Sequence, residues 1–375
     1  MTSLAPTSPA GVDGGVLALS TGDVRVPVYP PASACPPRRA DQAYPHPGGA
    51  DSLRHAVSGY AAATGARVRA EQVFVAPGAR LAILCVLAGA VTEHRHVLLP
   101  SPYWASYPVL IAAAGGIPVI VPGKPGQPFP DLDLLEAMRT PGTGALVVNS
   151  PRNPDGQVVA APALRALVEW TAAHRIVLIF DQVYRGVPLP AAPPPSVLDL
   201  FGELPGHCAV IDSLSKSHAL AGLRIGWALA AGELLTSAVN YGSHILGGTS
   251  MIAQEMAVAA LGQAHAFRAE LGEILQANLA SLLGELAGIP CVTCARPQGG
   301  IFVFPDIRAW LAARAPAPAR KNVTAWLRAA HHVAVADGAA FGAPGHIRLS
   351  FALPPSQVEA GGRALRLALT EGTGK

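Results

Sequence analysis

Short apolar runs that alternate with helical stretches constrain the fold of this chain more than any other feature. Six such runs are rich in residues that favour strands: QVFVA (72–76), HVLLP (96–100), IPVIV (117–121), ALVVN (145–149), RIVLIFD (175–181) and CAVID (208–212). Strands this apolar are buried on both faces, and strands that alternate with helices form a mostly parallel sheet flanked by helices. The pattern therefore predicts an α/β fold with a large domain built on such a sheet.

The rhythm changes after residue 250, which predicts a second, smaller α+β domain. A helical region around 251–288 lacks a strong breaker before Gly288, and the strands GGIFVFPDI and HIRLSFA follow it. Ser356 and Glu359 form a capping box ahead of a last helix that reaches about Leu369. Because the 375 residues exceed the length at which one hydrophobic core stops growing, two domains are expected.

The N-terminal region contributes to both predicted domains. Residues before about 16 are Pro, Ser, Thr and Gly and predict a flexible arm, GVLALSTGD (15–23) predicts a short strand, and the prolines of VPVYPPASACPPRR (26–39) favour an extended crossing. Asp51 is the predicted N-cap of a helix that ends near Gly65. The predicted division is a flexible arm over 1–15, a segment over 16–33 that joins the small domain, a large domain over 34–280 and a small domain over 281–375.

Composition excludes several classes of function. Half of the residues are hydrophobic and the net charge is only +3 with no basic block, so we expect neither a nucleic-acid partner nor an anionic membrane surface. The longest apolar run, LAILCVLAGAV (81–91), is too short to span a bilayer, and the N-terminus lacks a signal-peptide pattern, which predicts a cytoplasmic protein with a small ligand.

The cysteines do not predict a metal site. The five of them, Cys35, Cys85, Cys208, Cys291 and Cys294, are odd in number and scattered. Cys291 and Cys294 form a C-x-x-C, but without a second pair this favours ordinary thiols over a zinc or redox centre.

Polar residues cluster where the predicted parallel strands end. The residues concerned are Asn149 and Asn153, Asp181 and Tyr184, and Ser213, Ser215 and Lys216. Ligands of open α/β sheets bind outside the carboxyl ends of the strands, so these side chains predict one site. Lys216 follows an apolar strand, and a buried ammonium is costly unless its charge is removed or paired.

One ligand accounts for all of these groups. Pyridoxal phosphate would form a Schiff base with Lys216, would need an acid such as Asp181 at its ring nitrogen, and would bond Asn153 and Tyr184 through its phenolic oxygen. PGARLAILCVL (77–87) is a glycine turn that opens a helix, which is a ready anion site. The predicted phosphate ligands are Gly78, Ala79, Arg80, Ser213 and Arg224.

At this point the sequence resembles the class I/II aminotransferase family of fold-type I pyridoxal phosphate enzymes. The resemblance runs from STGD near residue 20 to RLSFA near residue 350, with SKSHALAGLRIG (215–226), DQVY (181–184) and NPDG (153–156) as its motifs. It implies that Lys216 is the Schiff-base lysine, that Asp181 and Tyr184 are catalytic, and that Ser213, Ser215 and Arg224 bind the phosphate.

The resemblance also implies a substrate site and an assembly. Trp104 in SPYWASYP is similar to the aromatic residue that stacks on the cofactor ring, and Arg348 in HIRLSF to the arginine that grips the substrate α-carboxylate, with the backbone of Gly22 assisting and with Asn153 and Trp104 also close to the substrate. Tyr44 is similar to the tyrosine that reaches the phosphate of the neighbouring subunit, which implies a homodimer with shared active sites. The implied reaction moves an amino group between an amino acid and a 2-oxo acid by a ping-pong mechanism through pyridoxamine phosphate.

Three departures from the family pattern bear on specificity. Asp155 stands where the family usually has threonine or serine, so an acid is expected either near the ring or facing solvent. The chain between Gly22 and Tyr44 is short and proline-rich, where relatives usually carry a helix that helps to close the site. The loop SHILGGTSMIAQ (243–254) has no arginine for a second carboxylate, which favours a neutral or modestly polar amino acid.

Two alternatives share the same residues. A lyase or cyclase of specialised amino-acid metabolism would begin with the same chemistry, and a regulatory protein could bind pyridoxal phosphate without turnover. The segment before Gly22 is too short for the DNA-binding domain that such regulators usually carry.

Overall fold

The computed structural model describes residues 12, 13, 15–26, 44–63, 65–126, 132–189, 192–262 and 265–371. Most of the predicted flexible arm, the proline-rich crossing and Cys35 lie outside the described residues. The strands are β1 (Val12–Asp13), β2 (Val16–Ala18), β3 (Val73–Ala76), β4 (His96–Pro100), β5 (Ile117–Val121), β6 (Thr143–Asn149), β7 (Val177–Asp181), β8 (Cys208–Ser213), β9 (Gly226–Leu229), β10 (Phe302–Val303), β11 (Val333–Ala334), β12 (Ala336–Asp337) and β13 (Ile347–Ser350).

The helices alternate with the strands in the first two thirds of the chain. They are α1 (Asp51–Ala62), α2 (Ala79–Ala90), α3 (Tyr107–Ala113), α4 (Leu132–Met138), α5 (Ala161–Ala173), α6 (Val197–Phe201), α7 (Leu214–Ser217), α8 (Gly232–Ile245), α9 (Met251–Gly262), α10 (His265–Ala287), α11 (Arg308–Ala313), α12 (Ala317–Lys321), α13 (Val323–His331) and α14 (Pro355–Glu371). Among the described residues, no helix is long and apolar enough to cross a bilayer.

A seven-stranded sheet in the order β3-β9-β8-β7-β6-β4-β5 forms the centre of the molecule. β4 to β8 are parallel, and β9 runs antiparallel to its neighbours β3 and β8. Asn149 pairs with Asp181, and Asp181 pairs with Ile211, so the carboxyl ends of β6, β7 and β8 lie side by side. This register places the polar residues that follow the three strands at one edge of the sheet.

Helices cover both faces of this sheet. One face packs against α2, α3 and α8 through a cluster that includes Ile83, Ile111 and Ala238. The other face packs against α1, α5 and α9 through a cluster that includes Leu53 and Leu167. Because both faces are covered, the strands are buried as their unbroken apolar sequences predict, except the edge strand β5, where Ile117 and Ile120 are 46% and 38% exposed.

A third core joins the two ends of the chain. α10 packs against α14, and their leucines bury Phe302, Trp310 and Leu349. β10, β13 and β12 form one small sheet, and β1, β2 and β11 form another. Leu19 belongs to the same core, so the N-terminal segment packs with the C-terminal part. The α/β fold class with a smaller α+β part is confirmed, whereas the domain boundaries stay a prediction.

Three details of the sequence-based prediction are wrong. Ala50, not Asp51, precedes α1, and the Asp51 carboxylate pairs with Arg54 instead of capping the helix. The region 251–288 holds two helices, α9 and α10, and residues 263 and 264 between them lie outside the described residues. α14 begins at Pro355, so Ser356 lies inside its first turn. β9 was not predicted at all.

Candidate active site

A cavity of about 280 Å³ lies where β6, β7 and β8 end. Most of the predicted site residues line it: Gly22, Ala79, Arg80, Trp104, Asn153, Asp181, Tyr184, Ser213, Ser215, Lys216, Arg224 and Arg348. Residues as far apart in the sequence as Gly22 and Arg348 therefore line the same cavity. Two predicted residues are not on its wall: Gly78 lies against Arg224, and Tyr44 projects into solvent with 97% exposure.

Lys216 reaches the cavity from the short helix α7, which directly follows β8. Its Nζ donates a hydrogen bond to the carbonyl oxygen of Gly22 at 2.7 Å. Burial lowers the pKa of the amine to about 8; the carboxylate of Asp23 opposes that shift, and the cations Arg348, Arg224 and Arg80 add to it. The neutral fraction of this amine near physiological pH is therefore much larger than that of an exposed lysine, which suits a nucleophile or a base.

Asp181, the last residue of β7, is held by two hydrogen bonds. Tyr107 Oη donates to its Oδ2 at 2.6 Å, and the backbone N–H of Val183 donates to its Oδ1 at 3.1 Å. Burial raises the pKa of this carboxyl to about 6, and both hydrogen bonds and the charge of Lys216 oppose the shift. The carboxylate is thus pointed at the cavity by partners that favour its ionised form.

Tyr107 is a functional residue that the sequence reasoning missed. It lies three residues after Trp104, and the two rings meet edge to face with centroids 5.2 Å apart. The spacing in SPYWASYP was an available signal, since residues three apart at a helix start share a face. Only the packing of α3 against the sheet shows that the hydroxyl reaches Asp181.

Asn153 links Tyr184 to Arg348. Its Nδ2 lies 3.4 Å from Tyr184 Oη, and its Oδ1 accepts a hydrogen bond from Arg348 Nη1 at 2.9 Å. Asn149, at the end of β6, accepts the backbone N–H of Asn153 at 2.7 Å and donates to the carbonyl of Asp181 at 2.9 Å. The strand ends and the N-P-D-G turn are therefore joined by one chain of hydrogen bonds.

Arg348 enters the cavity from β13. Its guanidinium lies between the rings of Phe302 and Phe341, at 4.1 and 4.8 Å from their centroids, and Nη2 donates to the carbonyl of Ser20 at 3.0 Å. Burial lowers its pKa to about 10, and its buried Nε has no hydrogen-bond partner among the described residues. An unsatisfied buried N–H on a cation is the chemistry of a site that expects an anion.

Hydrogen-bond donors that could bind an anion lie at the opposite end of the cavity. α2 begins at Ala79 after Gly78, which offers no side-chain cap, and the backbone N–H groups of Ala79 and Arg80 make no hydrogen bond to another described residue. Gly78 has φ +88°, and a Cβ there would lie 2.4 Å from Nη2 of Arg224. Glycine thus allows the guanidinium to lie directly on the turn that precedes the helix.

Two hydroxyls complete this anion-binding end. Ser213 ends β8, and its Oγ accepts the backbone N–H of Ser215 at 3.2 Å. Arg224 donates to the carbonyls of Ala221 at 2.9 Å and Pro77 at 3.3 Å, which hold its side chain in place. Free N–H groups at a helix start, hydroxyls and a guanidinium are the donor set of a phosphate site, so these residues fit the phosphate of pyridoxal phosphate.

Asp23 also lines the cavity and was not predicted. It follows Gly22, and its Oδ2 accepts a hydrogen bond from Arg25 at 3.2 Å. A lone acid in an irregular segment has no spacing that indicates a site, so its position could be found only from the fold.

Asp155 neither lies on the cavity wall nor faces solvent. Its carboxylate is buried and paired with Arg152, which stands three residues earlier in the same turn. Both expectations for this residue, an acid near the ring or one in solvent, are therefore wrong, because a neighbouring arginine takes up its charge. His218 does not line the cavity, and its Nδ1 lies 2.8 Å from Ser217 Oγ.

Comparisons with known proteins agree with this arrangement. The family described as aminotransferase class I and II matches residues 18–365. The aspartate aminotransferase of Geobacillus stearothermophilus is 33% identical over 75% of this chain and 72% of its own length, and that of Bacillus subtilis is 31% identical over the same shares. A single mutant of the Thermus thermophilus aspartate aminotransferase superposes with a TM-score of 0.84 at 28% identity, over 94% of this chain and 92% of that one.

A mostly parallel sheet with a buried lysine and carboxylate at neighbouring strand ends, and a phosphate donor set beside them, defines a pyridoxal phosphate enzyme of fold type I. The chain belongs to the class I and II aminotransferase family, as its resemblance predicted. It is a transaminase that uses pyridoxal phosphate and acts on amino acids and 2-oxo acids.

Proposed function

We propose that Lys216, Asp181, Tyr184 and Arg348 carry out the amino transfer. The observation that carries this assignment is that the four side chains converge on one cavity. The amine of Lys216 has a pKa of about 8, and the guanidinium of Arg348, which can bind a carboxylate, lies on the other wall. Bound pyridoxal phosphate supplies an aldehyde for the donor's amino group and a ring that accepts electrons. The remaining chemistry is proton transfer and orientation, which these side chains provide.

Lys216 is the group that moves the proton. Its lowered pKa leaves an amine that can take a proton from the donor's Cα and return it to the carbon on the other side of the amino nitrogen, two bonds away. The carbonyl of Gly22, which accepts a hydrogen bond from Nζ, orients the amine for this task.

Asp181 holds a proton at the ring nitrogen. Tyr107 keeps the carboxylate in place and favours its charged form, so the ring stays a good electron acceptor. Tyr184 and Asn153 would bond the phenolic oxygen of the bound cofactor, and Trp104 would cover its ring; all three side chains line the cavity.

Arg348 binds the α-carboxylate of the donor. A carboxylate would satisfy its free Nε and would neutralise a cation that is buried between two aromatic rings. The donor's side chain then faces the wall that Trp104 and Arg80 form.

We propose that the donor is acidic, with Arg80 as the residue that receives its second carboxylate. Arg80 lies over the Trp104 ring at 5.1 Å and makes no hydrogen bond to a described residue, so its charge is available. The curated relatives are named for aspartate, which supports the same choice. The sequence-based expectation of a neutral or modestly polar donor, drawn from the loop 243–254, stays a prediction and is the alternative.

A donor panel tests both proposals. The holoenzyme is titrated with single amino acids without an oxo acid, and the absorbance reports which donors convert the cofactor to its amine form. Arg80→Met is expected to lower kcat/KM for aspartate by roughly 10- to 100-fold, which is what the loss of a charged hydrogen bond of about 1.5–3 kcal/mol means, and to leave alanine unaffected. Arg80→Lys, which keeps the charge, should retain part of the preference.

Other outcomes have distinct meanings. Equal losses for both donors would show that the Arg80 side chain acts on the cofactor phosphate, as first predicted from sequence. A panel led by neutral donors would favour the alternative. If no amino acid converts the cofactor, the proposed roles fail.

We also propose a homodimer in which Tyr44 serves the partner's site. Tyr44 does not line its own cavity and is 97% exposed, and it lies next to Pro45, which packs against Gly248. Ile245 and Ile252, on either side of that loop, are 46% and 39% exposed. Exposed apolar side chains on both sides of one loop favour a protein interface there. Cytoplasmic localisation stays a prediction.

A further inference from the structure

The N-P-D-G turn carries a buried ion pair that the reaction does not use. Arg152 and Asp155 flank Asn153 and Pro154, and their side chains are only 7% and 3% exposed. Nε of Arg152 donates to Oδ1 of Asp155 at 2.8 Å, and Nη2 donates to Oδ2, so the pair is bidentate. The two charges cancel within a single turn.

The Asp155 carboxylate has no capacity left for a ligand. Besides the two bonds from Arg152, Oδ2 accepts the backbone N–H of Gly126 at 2.9 Å and Oδ1 lies 3.3 Å from that of Gln157. A buried ion pair is a poor source of stability, because desolvation offsets most of its Coulomb energy. The geometry that the pair imposes is therefore the better explanation for its presence.

That geometry concerns Asn153, which lies between the two charged residues. The backbone bonds of Arg152 to Gln157 at 2.9 Å and of Gly156 to Arg152 at 2.7 Å close the turn around it. With the turn closed, Oδ1 of Asn153 meets Arg348 Nη1 at 2.9 Å. The turn thus presents one amide oxygen to the guanidinium of a distant strand.

The same turn is attached to the C-terminal part at a second point. The carbonyl of Gly156 accepts the backbone N–H groups of Gln298 and Gly299 at 2.9 and 3.0 Å. A Cβ at Gly156 would lie 2.4 Å from Pro297, so the two segments are in direct contact. A change in the shape of the turn would therefore displace both the contact and Asn153.

We propose that Arg152 and Asp155 are positioning residues for Arg348: the buried pair holds the turn so that Asn153 fixes the guanidinium where the substrate carboxylate binds. The inference rests on the proposed role of Arg348. Asp155, which stands where the family usually has threonine or serine, would thus affect substrate binding. This effect is separate from the chemistry of Lys216 and Asp181.

The test compares variants of the holoenzyme by calorimetric binding of maleate, a dicarboxylate that does not react. Asp155→Asn removes the negative charge beside Arg152, and Arg152→Ser with Asp155→Thr removes both charges. Both are expected to weaken maleate binding and to raise KM for the donor, each by roughly tenfold, since small misplacements of a binding group have effects of this size. kcat should change little, because Lys216 and Asp181 keep their partners.

A matched control is the ion pair of Arg366 and Glu285, which lies off the cavity with its atoms 2.7 Å apart. Its neutral double variant, Arg366→Gln with Glu285→Gln, should bind maleate as the wild type does. Thermal unfolding of every variant separates lost stability from lost binding, and the charge-free double variant at 152 and 155 keeps the test usable if Asp155→Asn does not fold.

Arg348→Gln distinguishes the two levels of the proposal. If this variant binds maleate as tightly as the wild type, the role of Arg348 is wrong. If it loses binding while the variants at 152 and 155 keep wild-type affinity and KM and only unfold at a lower temperature, the pair is structural and the inference is overturned.

Discussion

The amine of Lys216 is surrounded by charges of both signs. Burial lowers its pKa to about 8, whereas an exposed lysine titrates at roughly 10.4. In the cofactor-free protein, Lys216 is expected to react with an acylating reagent with a midpoint near pH 8, read by peptide mass spectrometry. Asp23→Asn should move the midpoint lower still, because the Asp23 carboxylate raises the pKa of the amine.

Lys321, which is exposed on α12, is the comparison within the same digest. A midpoint for Lys216 close to the free value would mean that water reaches the amine, and the proposed base would then lack its tuning.

At the residue scale, the sequence predicted which charged side chains lie in the site better than it predicted their hydrogen-bond and ion-pair partners. Lys216, Asp181, Arg224 and Arg348 each stand next to a strand end or within a quoted motif, so their meeting could be foreseen. The bond from Tyr107 to Asp181 and the pairing of Asp155 with Arg152 could not. Both depend on side-chain direction within a turn or at a helix start, which packing determines.

At the scale of elements, the backbone conformation of the turn before α2 determines how close Arg224 lies to the proposed phosphate site. Gly78→Ala is expected to weaken retention of pyridoxal phosphate, because a Cβ would collide with Arg224 in addition to straining φ. Gly115→Ala is the matched control, since Gly115 also has φ +88° but has open space around it. Equilibrium binding of the cofactor to the two purified variants makes the comparison.

Both alanine variants should lose about 1–3 kcal/mol of folding free energy from the positive φ alone, since both glycines have φ +88°. Only the variant at Gly78 should release the cofactor more readily. Similar cofactor affinity in both would show that the position of Arg224 is not set by this turn.

Strands were predictable where they are long and apolar, and less so elsewhere. β4 and β5 match their predicted limits, and β3 and β7 differ by one or two residues. β9 was missed because its four residues follow directly on the predicted phosphate motif and pair antiparallel with β3 and β8, a pairing that an alternating pattern does not indicate.

At the scale of the whole molecule, the proposed exchange of Tyr44 can be tested by complementation. Lys216→Ala and Tyr44→Ala are each expected to be impaired at limiting cofactor. Mixed and reassociated, they should regain activity, because a hybrid dimer contains one site with its own Lys216 and the partner's Tyr44. Random pairing makes roughly a quarter of all sites intact.

A mixture that stays at the level of its parents, although mass analysis shows hybrid dimers, would contradict the shared site. Light scattering that finds a monomer would remove the dimer itself.

The pairing of β2 with β11 has a consequence for how this enzyme is made. The carbonyls of Ser20 and Gly22 that hold Arg348 and Lys216 lie just beyond β2, and β2 is anchored on a strand from the far end of the sequence. During translation, Ser20 and Gly22 can take their places in the pocket only after β11 has been synthesised, because β2 pairs with that strand. Contacts this distant in sequence form late, so a ribosome-bound chain would expose a half-built pocket for most of its synthesis.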